Sequence, residues 1–164
     1  KQAFRPARQL ELPRMASESD GVNLVDADRG TVLAAVRKNG LTLEHVAQHH
    51  QSDLEIVLAA VEENGWALKY AADTCKCNPK VVLTAVKKDG WPLQYAAENC
   101  RADPEIVGTA VERDGRALQF AAETCRNDPD IVFTAVQRDW KSLQYAGDNC
   151  RGEKKLALTV IEAL

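Results

Sequence analysis

Two residue types in this chain could do bond-making chemistry, cysteine and histidine, and a third group, tryptophan with arginine and lysine, could do recognition. The cysteines are Cys75, Cys77, Cys100, Cys125 and Cys150. A thiolate serves as a nucleophile or a soft metal ligand. Four of the five, however, recur at a spacing of 25 residues. Each falls in phase with an apolar stripe: Cys75 follows Leu68, Ala71 and Ala72, and Cys100 follows Leu93, Ala96 and Ala97, at i, i+3, i+4 and i+7. In that phase a cysteine is a small buried core residue. Cys75 and Cys77 form the one close pair, and a single C-x-C with no second pair and no histidine beside it does not make a zinc site. Cys77 falls in a turn between units and is the candidate reactive thiol. Cross-linking of the ladder is disfavoured, because packed helices lie about 8–10 Å apart and disulfide partners need Cα atoms within about 7 Å. A reducing intracellular compartment is therefore expected.

The histidines are His45, His49 and His50. His45 and His49 stand at i, i+4, which on one helix face can hold a metal. Yet His45 occupies the place where later units carry Tyr70, Tyr95, Phe120 and Tyr145, and His50 the place of the cysteine. The expectation is packing in a divergent first unit, with no metal and no cofactor. No phosphate-cradling glycine loop, serine elbow or singled-out carboxylate pair accompanies these residues. Asp89, Asp114 and Asp139 recur as helix-ending residues. Catalysis is not expected.

Recognition is left to Trp66, Trp91, Arg116, Trp140 and Lys141, since tryptophan and arginine are enriched among the residues that carry binding energy. Trp66 and Trp91 open their second helices at the place where Arg116 and Lys141 stand later. Packing between units, a protein contact, and a ligand or pigment contact are the three readings for them. The basic residues Arg5, Arg8 and Arg14 of the N-terminal stretch join the candidate list.

The elements that must position these groups are repeats. Val36, Val61, Val86, Val111 and Val136 are anchors at a constant step of 25 residues, continued by Ile161. A fixed period of that size marks a stacked-repeat architecture. The units are residues 28–51, 52–76, 77–101, 102–126 and 127–151, with a half-unit at 152–164. In the fourth, Asp103 before Pro104 starts a helix: the carboxylate accepts from free N–H groups, and proline at the first position loses no hydrogen bond. Ile106, Val107, Ala110 and Val111 give it an apolar stripe. It ends at Asp114–Gly115, with glycine expected in the left-handed cap conformation, as at Gly40, Gly65 and Gly90. Trp140 replaces that glycine in the fifth unit, so a locally different turn is expected there. A second helix then carries Leu118, Ala121, Ala122 and Cys125 on one face. Helices of about ten to twelve residues are marginal alone, so stability must come from neighbouring units. Gly108 stands where other units carry Leu33, Leu58, Leu83 and Phe133, and Phe133 is expected to lean into the space it vacates.

The expected fold is all-α: a solenoid of about five 25-residue helical hairpins plus a C-terminal half-repeat. Residues 1–27 precede it as a basic extended arm and linker, with Lys1, Arg5, Arg8 and Arg14 against Glu11 alone in the first fifteen residues. A frayed terminus, an arm laid across a partner, and a targeting remnant are the readings for this arm. The chain has 164 residues and a net charge of -3, in mixed sign along the repeats, which does not suit a polyanion binder. No apolar run approaches the roughly 18–20 residues of a membrane span. The protein is expected to be soluble, or peripheral to a membrane complex.

The pattern D-P-x-I-V-x-x-A-V-x-x-D-G-x-x-L-x-x-A, followed by a cysteine–arginine pair, resembles the family named domain of unknown function 4116, over about Asp28 to Leu164. That family is described in protists, above all marine algae, and in some bacteria, often as tandem copies. The resemblance implies a helical repeat and transfers no catalytic residue. With the absence of an initiator methionine and the basic arm, its algal association points to an organellar setting, a plastid or photosynthetic complex, with the cytoplasm otherwise. The leading expectation is a protein–protein interaction or scaffold module, an accessory subunit bound to other protein subunits. The alternatives are single-stranded RNA binding, which needs a positive groove that the alternating Glu62, Lys87, Glu112 and Gln137 do not provide, and a regulatory domain of a longer repeat protein.

Overall fold

A computed structural model describes residues 23–152, and within them the chain is helical with no strand. One set of elements recurs in register with the sequence repeat: a ten-residue α-helix, a short 3-10 helix and a single α-turn. The sets are α1 (Arg29–Lys38), η1 (Gly40–His45) and α2 (Gln48–Gln51), followed by α3 (Leu54–Glu63), η2 (Gly65–Tyr70) and α4 (Asp73–Lys76). Next come α5 (Pro79–Lys88), η3 (Trp91–Tyr95) and α6 (Glu98–Arg101), then α7 (Pro104–Arg113), η4 (Gly115–Phe120) and α8 (Glu123–Arg126). The last described set is α9 (Pro129–Arg138), η5 (Trp140–Tyr145) and α10 (Asp148–Arg151). The half-unit at 152–164 and the basic arm, with Arg5, Arg8 and Arg14, lie outside the described residues but for Gly152.

Local chemistry starts each long helix. Asp103 Oδ1 accepts from the backbone N–H of Glu105 at 2.9 Å and of Ile106 at 3.3 Å, and Pro104 takes the first position. Asp128 and Pro129 repeat this, while Asn78 and Pro79 do so through one bond. Such a cap contributes about 1 kcal/mol. The stripes Ile56–Val57–Ala60–Val61, Val81–Val82–Ala85–Val86, Ile106–Val107–Ala110–Val111 and Ile131–Val132–Ala135–Val136 are buried. Successive long helices pack side by side, successive 3-10 helices do likewise, and one core runs through both layers.

The second arm is composite. Leu118 lies in η4 and Cys125 in α8, and between them Ala121 and Ala122 are extended, at ψ 151° and 160°. Alanine favours helix, but here a tertiary bond wins. The Ala122 N–H donates 2.8 Å to the carbonyl of Arg101, in the preceding unit. Ala72 to Gln51, Ala97 to Lys76 and Gly147 to Arg126 do the same at 2.9, 3.0 and 2.6 Å. Each bond satisfies a carbonyl left over at the end of a short helix and stitches one unit to the next. A continuous second α-helix would bury that N–H within itself and break the stitch.

The turn glycines have another reason than the one expected. None of the described glycines adopts the left-handed conformation; Gly90 is at φ -68°. They are needed for close approach. A Cβ at Gly65 would lie 2.5 Å from the carbonyl oxygen of Ala85, and one at Gly40, Gly90 or Gly115 would collide with the carbonyl of Ala60, Ala110 or Ala135. The turn at Trp140 does not differ locally either: Asp139 (φ -149°, ψ 110°) matches Asp114 (φ -143°, ψ 114°).

Gly108 is corrected as well. A Cβ there would meet nothing within 4 Å, so Phe133 does not fill its place. Removing the flexibility of a mid-helix glycine is then unopposed, and Gly108→Ala is expected to stabilise by about 0.5–1 kcal/mol. Chemical denaturation reads this directly; a lower midpoint would show that the space is needed.

Candidate functional site

The tryptophan–arginine positions come together on the 3-10 layer. Each long helix ends at an Asp or Asn whose Oδ1 caps the following 3-10 helix. Asp89 Oδ1 accepts from Trp91 N at 3.0 Å, Asp114 Oδ1 from Arg116 N at 2.9 Å, and Asp139 Oδ1 from Lys141 N at 3.0 Å. The second carboxylate oxygen reaches back to the preceding unit. Trp66 Nε1 donates to Asp89 Oδ2 at 3.0 Å, and Trp91 Nε1 to Asp114 Oδ2 at 2.8 Å. Arg116 continues the row, its Nε 3.7 Å from Asp139 Oδ2. One aspartate thus holds its own turn and the neighbour's side chain. The helix-ending aspartates, read from sequence only as turn residues, are the joints of the edge.

Aromatic rings line the same edge. Trp66 meets Tyr95 edge-on with centroids 6.3 Å apart, and Trp91 meets Phe120 at 5.4 Å. Offset and edge-to-face pairs of this kind add about 0.5–1.5 kcal/mol beyond burial. The guanidinium of Arg116 lies 5.5 Å over the Trp91 ring while bonding Asp114 through Nε and Nη2 at 3.1 and 2.9 Å. Asp114, facing the guanidinium of Arg116 and also accepting from the Trp91 indole, has its pKa held down to about 2. Trp66 and Trp91 are therefore rungs between units: Trp66 remains 37 % exposed and Trp91 is half-buried.

Trp140 is set apart. It stands one position earlier in its unit, in the glycine seat, and is 41 % exposed. Lys141 Nζ sits 5.8 Å over its ring. With Leu143, Gln144 and Arg151 these two line an open groove of about 680 Å³. A second, smaller groove of about 470 Å³ lies between α1 and α3, where Arg29 is tied to Asp53 at 2.7 Å and to Glu55 at 2.6 Å.

The groups that suggested bond-making chemistry are distributed otherwise. Cys75, Cys100, Cys125 and Cys150 are buried and unbridged, and burial pushes the thiols of Cys75, Cys100 and Cys125 up. Cys77 is exposed, its Sγ donating to the Thr74 carbonyl at 3.2 Å. His45 and His49 do not share a helix face, because Val46 and Ala47 between them are extended. His50 is buried, with Nε2 3.1 Å from the Ala27 carbonyl, in the position of the cysteine. Among the described residues no three His, Cys, Asp or Glu side chains converge as a metal site, and no helix is long and apolar enough to cross a membrane.

These observations define an all-α tandem-repeat protein whose units are joined through backbone stitches and an aspartate–tryptophan edge. The family model of the domain of unknown function DUF4116 matches residues 28–76, 78–123 and 103–151, and the chain belongs to that family. No curated protein and no solved structure matches it.

Proposed function

We propose that the chain is a non-catalytic binding module: a solenoid of five units of about 25 residues, continued by a half-unit at 152–164, that docks other protein subunits along its 3-10 edge. The observation that carries this reading is the edge itself. Trp66, Trp91, Arg116 and Lys141 follow one another in a row held by shared aspartates, with Trp140 exposed beside its last member. Preorganised aromatic and cationic side chains on a rigid support lose little entropy on binding. Stacked repeats present extended surfaces of this kind. The buried, unbridged cysteine ladder favours a reducing compartment.

RNA binding is less well supported, because the exposed row Arg37, Glu62, Lys87, Glu112 and Gln137 on the long helices alternates in sign instead of forming a positive groove. The test is lysine cross-linking of the full chain in its native extract, followed by mass-spectrometric mapping. Cross-links from Lys69 and Lys141 on the 3-10 edge to one protein partner are expected, with Lys80 and Lys87 of α5 as internal controls. Cross-links confined to Lys80 and Lys87, or association that disappears with nuclease, would overturn the proposal.

A further inference from the structure

At each junction between described units, a glycine at the start of the 3-10 layer rests against an alanine carbonyl of the next long helix: Gly40 on Ala60, Gly65 on Ala85, Gly90 on Ala110 and Gly115 on Ala135. None of these seats admits a Cβ. The fifth seat is occupied by Trp140, on an unaltered turn. At this seat a large indole replaces the bare glycine of the other four, so the edge at η5 carries a different surface from the edges at η1 to η4. Trp140 therefore gives the groove beside it a chemistry that the glycine junctions do not have.

That groove has an apolar floor and a cationic rim. Trp140 and Leu143 supply the floor, and Lys141 and Arg151 the charge; among the described residues no carboxylate lines it. Arg151 is held in place, its Nε donating 2.8 Å to the Ala146 carbonyl and its Nη2 3.0 Å to the Gln144 carbonyl. Its Nη1 lies 3.6 Å from Asp148, whose side chain is 98 % exposed and only a weak competitor. Lys141 lies over the indole, so its ammonium and the ring edge are offered together. A volume of about 680 Å³ is within the range of about 300–1,000 Å³ that accommodates a small ligand or a few side chains.

Resting on the docking reading above, the geometry points to the partner's chemistry: the Trp140 groove receives an acidic peptide segment carrying an apolar side chain. The apolar side chain sits on the indole and Leu143, while flanking carboxylates face Lys141 and Arg151. The two cations then do for a partner what the shared aspartates do between units, fixing register by charge-assisted hydrogen bonds.

The full chain, labelled with 15N, gives one indole N–H resonance per tryptophan, and Trp140→Phe identifies that of Trp140. Two synthetic heptapeptides are titrated, Asp-Asp-Leu-Asp-Phe-Asp-Asp and Lys-Lys-Leu-Lys-Phe-Lys-Lys. The acidic peptide is expected to move the Trp140 indole resonance and leave those of Trp66 and Trp91, bonded to Asp89 and Asp114, in place. Lys141→Glu with Arg151→Glu should weaken this at least tenfold. No movement at millimolar peptide, or equal movement with the basic peptide, would overturn the inference. So would protection of the Trp140 indole from a soluble gadolinium chelate in the free protein, which would mean that residues 153–164 of the same chain already cover the groove. If cross-linking maps a partner to the edge while Trp140 remains unmoved, the docking reading stands and the groove assignment alone falls. If neither responds, both fall.

Discussion

Gly115→Ala is expected to be among the most damaging single-methyl changes possible in this chain. The added Cβ meets the backbone carbonyl of Ala135 and lies 2.9 Å from Ser142 Oγ. Neither can give way cheaply: the carbonyl belongs to the middle of α9, and Ser142 is fully buried. Overpacking ordinarily costs about 1–3 kcal/mol, and a clash with backbone belongs at the top of that range, about 3 kcal/mol. For a chain of this size each kcal/mol shifts the melting temperature by roughly 2–4 °C, so a fall of about 6–12 °C follows.

The loss should also be uneven along the stack. Repeat proteins are held by nearest-neighbour terms, and Gly115 sits at the junction of η4 with α9. Hydrogen exchange should accelerate in α9 and η5 more than in α3 and α5. Gly108→Ala is the matched control, the same methyl added in the same unit with an opposite expected sign. If both substitutions shift stability alike, the seating of glycine on carbonyl is not what joins these units.

The second large effect concerns Asp114. It caps η4, accepts the Trp91 indole and faces Arg116 at 2.9 Å. Asp114→Asn keeps the shape but removes the charge, and one side of the amide can no longer accept from the indole. A loss of about 2 kcal/mol at pH 7 is expected, in the range for hydrogen bonds to charged groups. The pH dependence follows from the depressed folded-state pKa of about 2. A carboxylate near 3.9 when unfolded and lower when folded contributes its full stabilisation above about pH 4. That contribution fades as pH falls from about 4 toward 2 and is gone once both states are protonated.

Denaturant melts of the wild type and Asp114→Asn should therefore converge between pH 4 and pH 2. Asp53, also held low by Arg29, contributes acid sensitivity in both proteins and cancels in the comparison. A gap that stays constant over that interval would show that the loss comes from the amide's changed hydrogen bonding and not from the charge of Asp114. The indole resonance of Trp91 gives an independent readout, since it should lose its carboxylate partner in the variant.

Much of the architecture was legible in the chain. The step between Val36, Val61, Val86, Val111 and Val136 marks the stack, because a unit that cannot bury its apolar face alone must repeat. Asp103–Pro104 and its equivalents mark helix starts, because capping is settled within three residues. The phase of Cys75, Cys100, Cys125 and Cys150 marks burial. All of these are local or periodic properties.

What the chain by itself could not disclose depends mostly on atoms twenty or more residues away. Ala121 and Ala122 look helical until the Arg101 carbonyl of the preceding unit claims the Ala122 N–H. Gly115 looks like a left-handed cap until the Ala135 carbonyl is seen against it. Trp66 and Trp91 look like free anchors until Asp89 and Asp114 take their indole N–H groups. His45 and His49 look like a metal pair until two extended residues separate them. Periodicity and capping decide which segments are helical, since they are paid within one turn of chain. Only tertiary packing decides how far a helix continues, which glycine must remain bare, and which tryptophan, Trp140, keeps an open face.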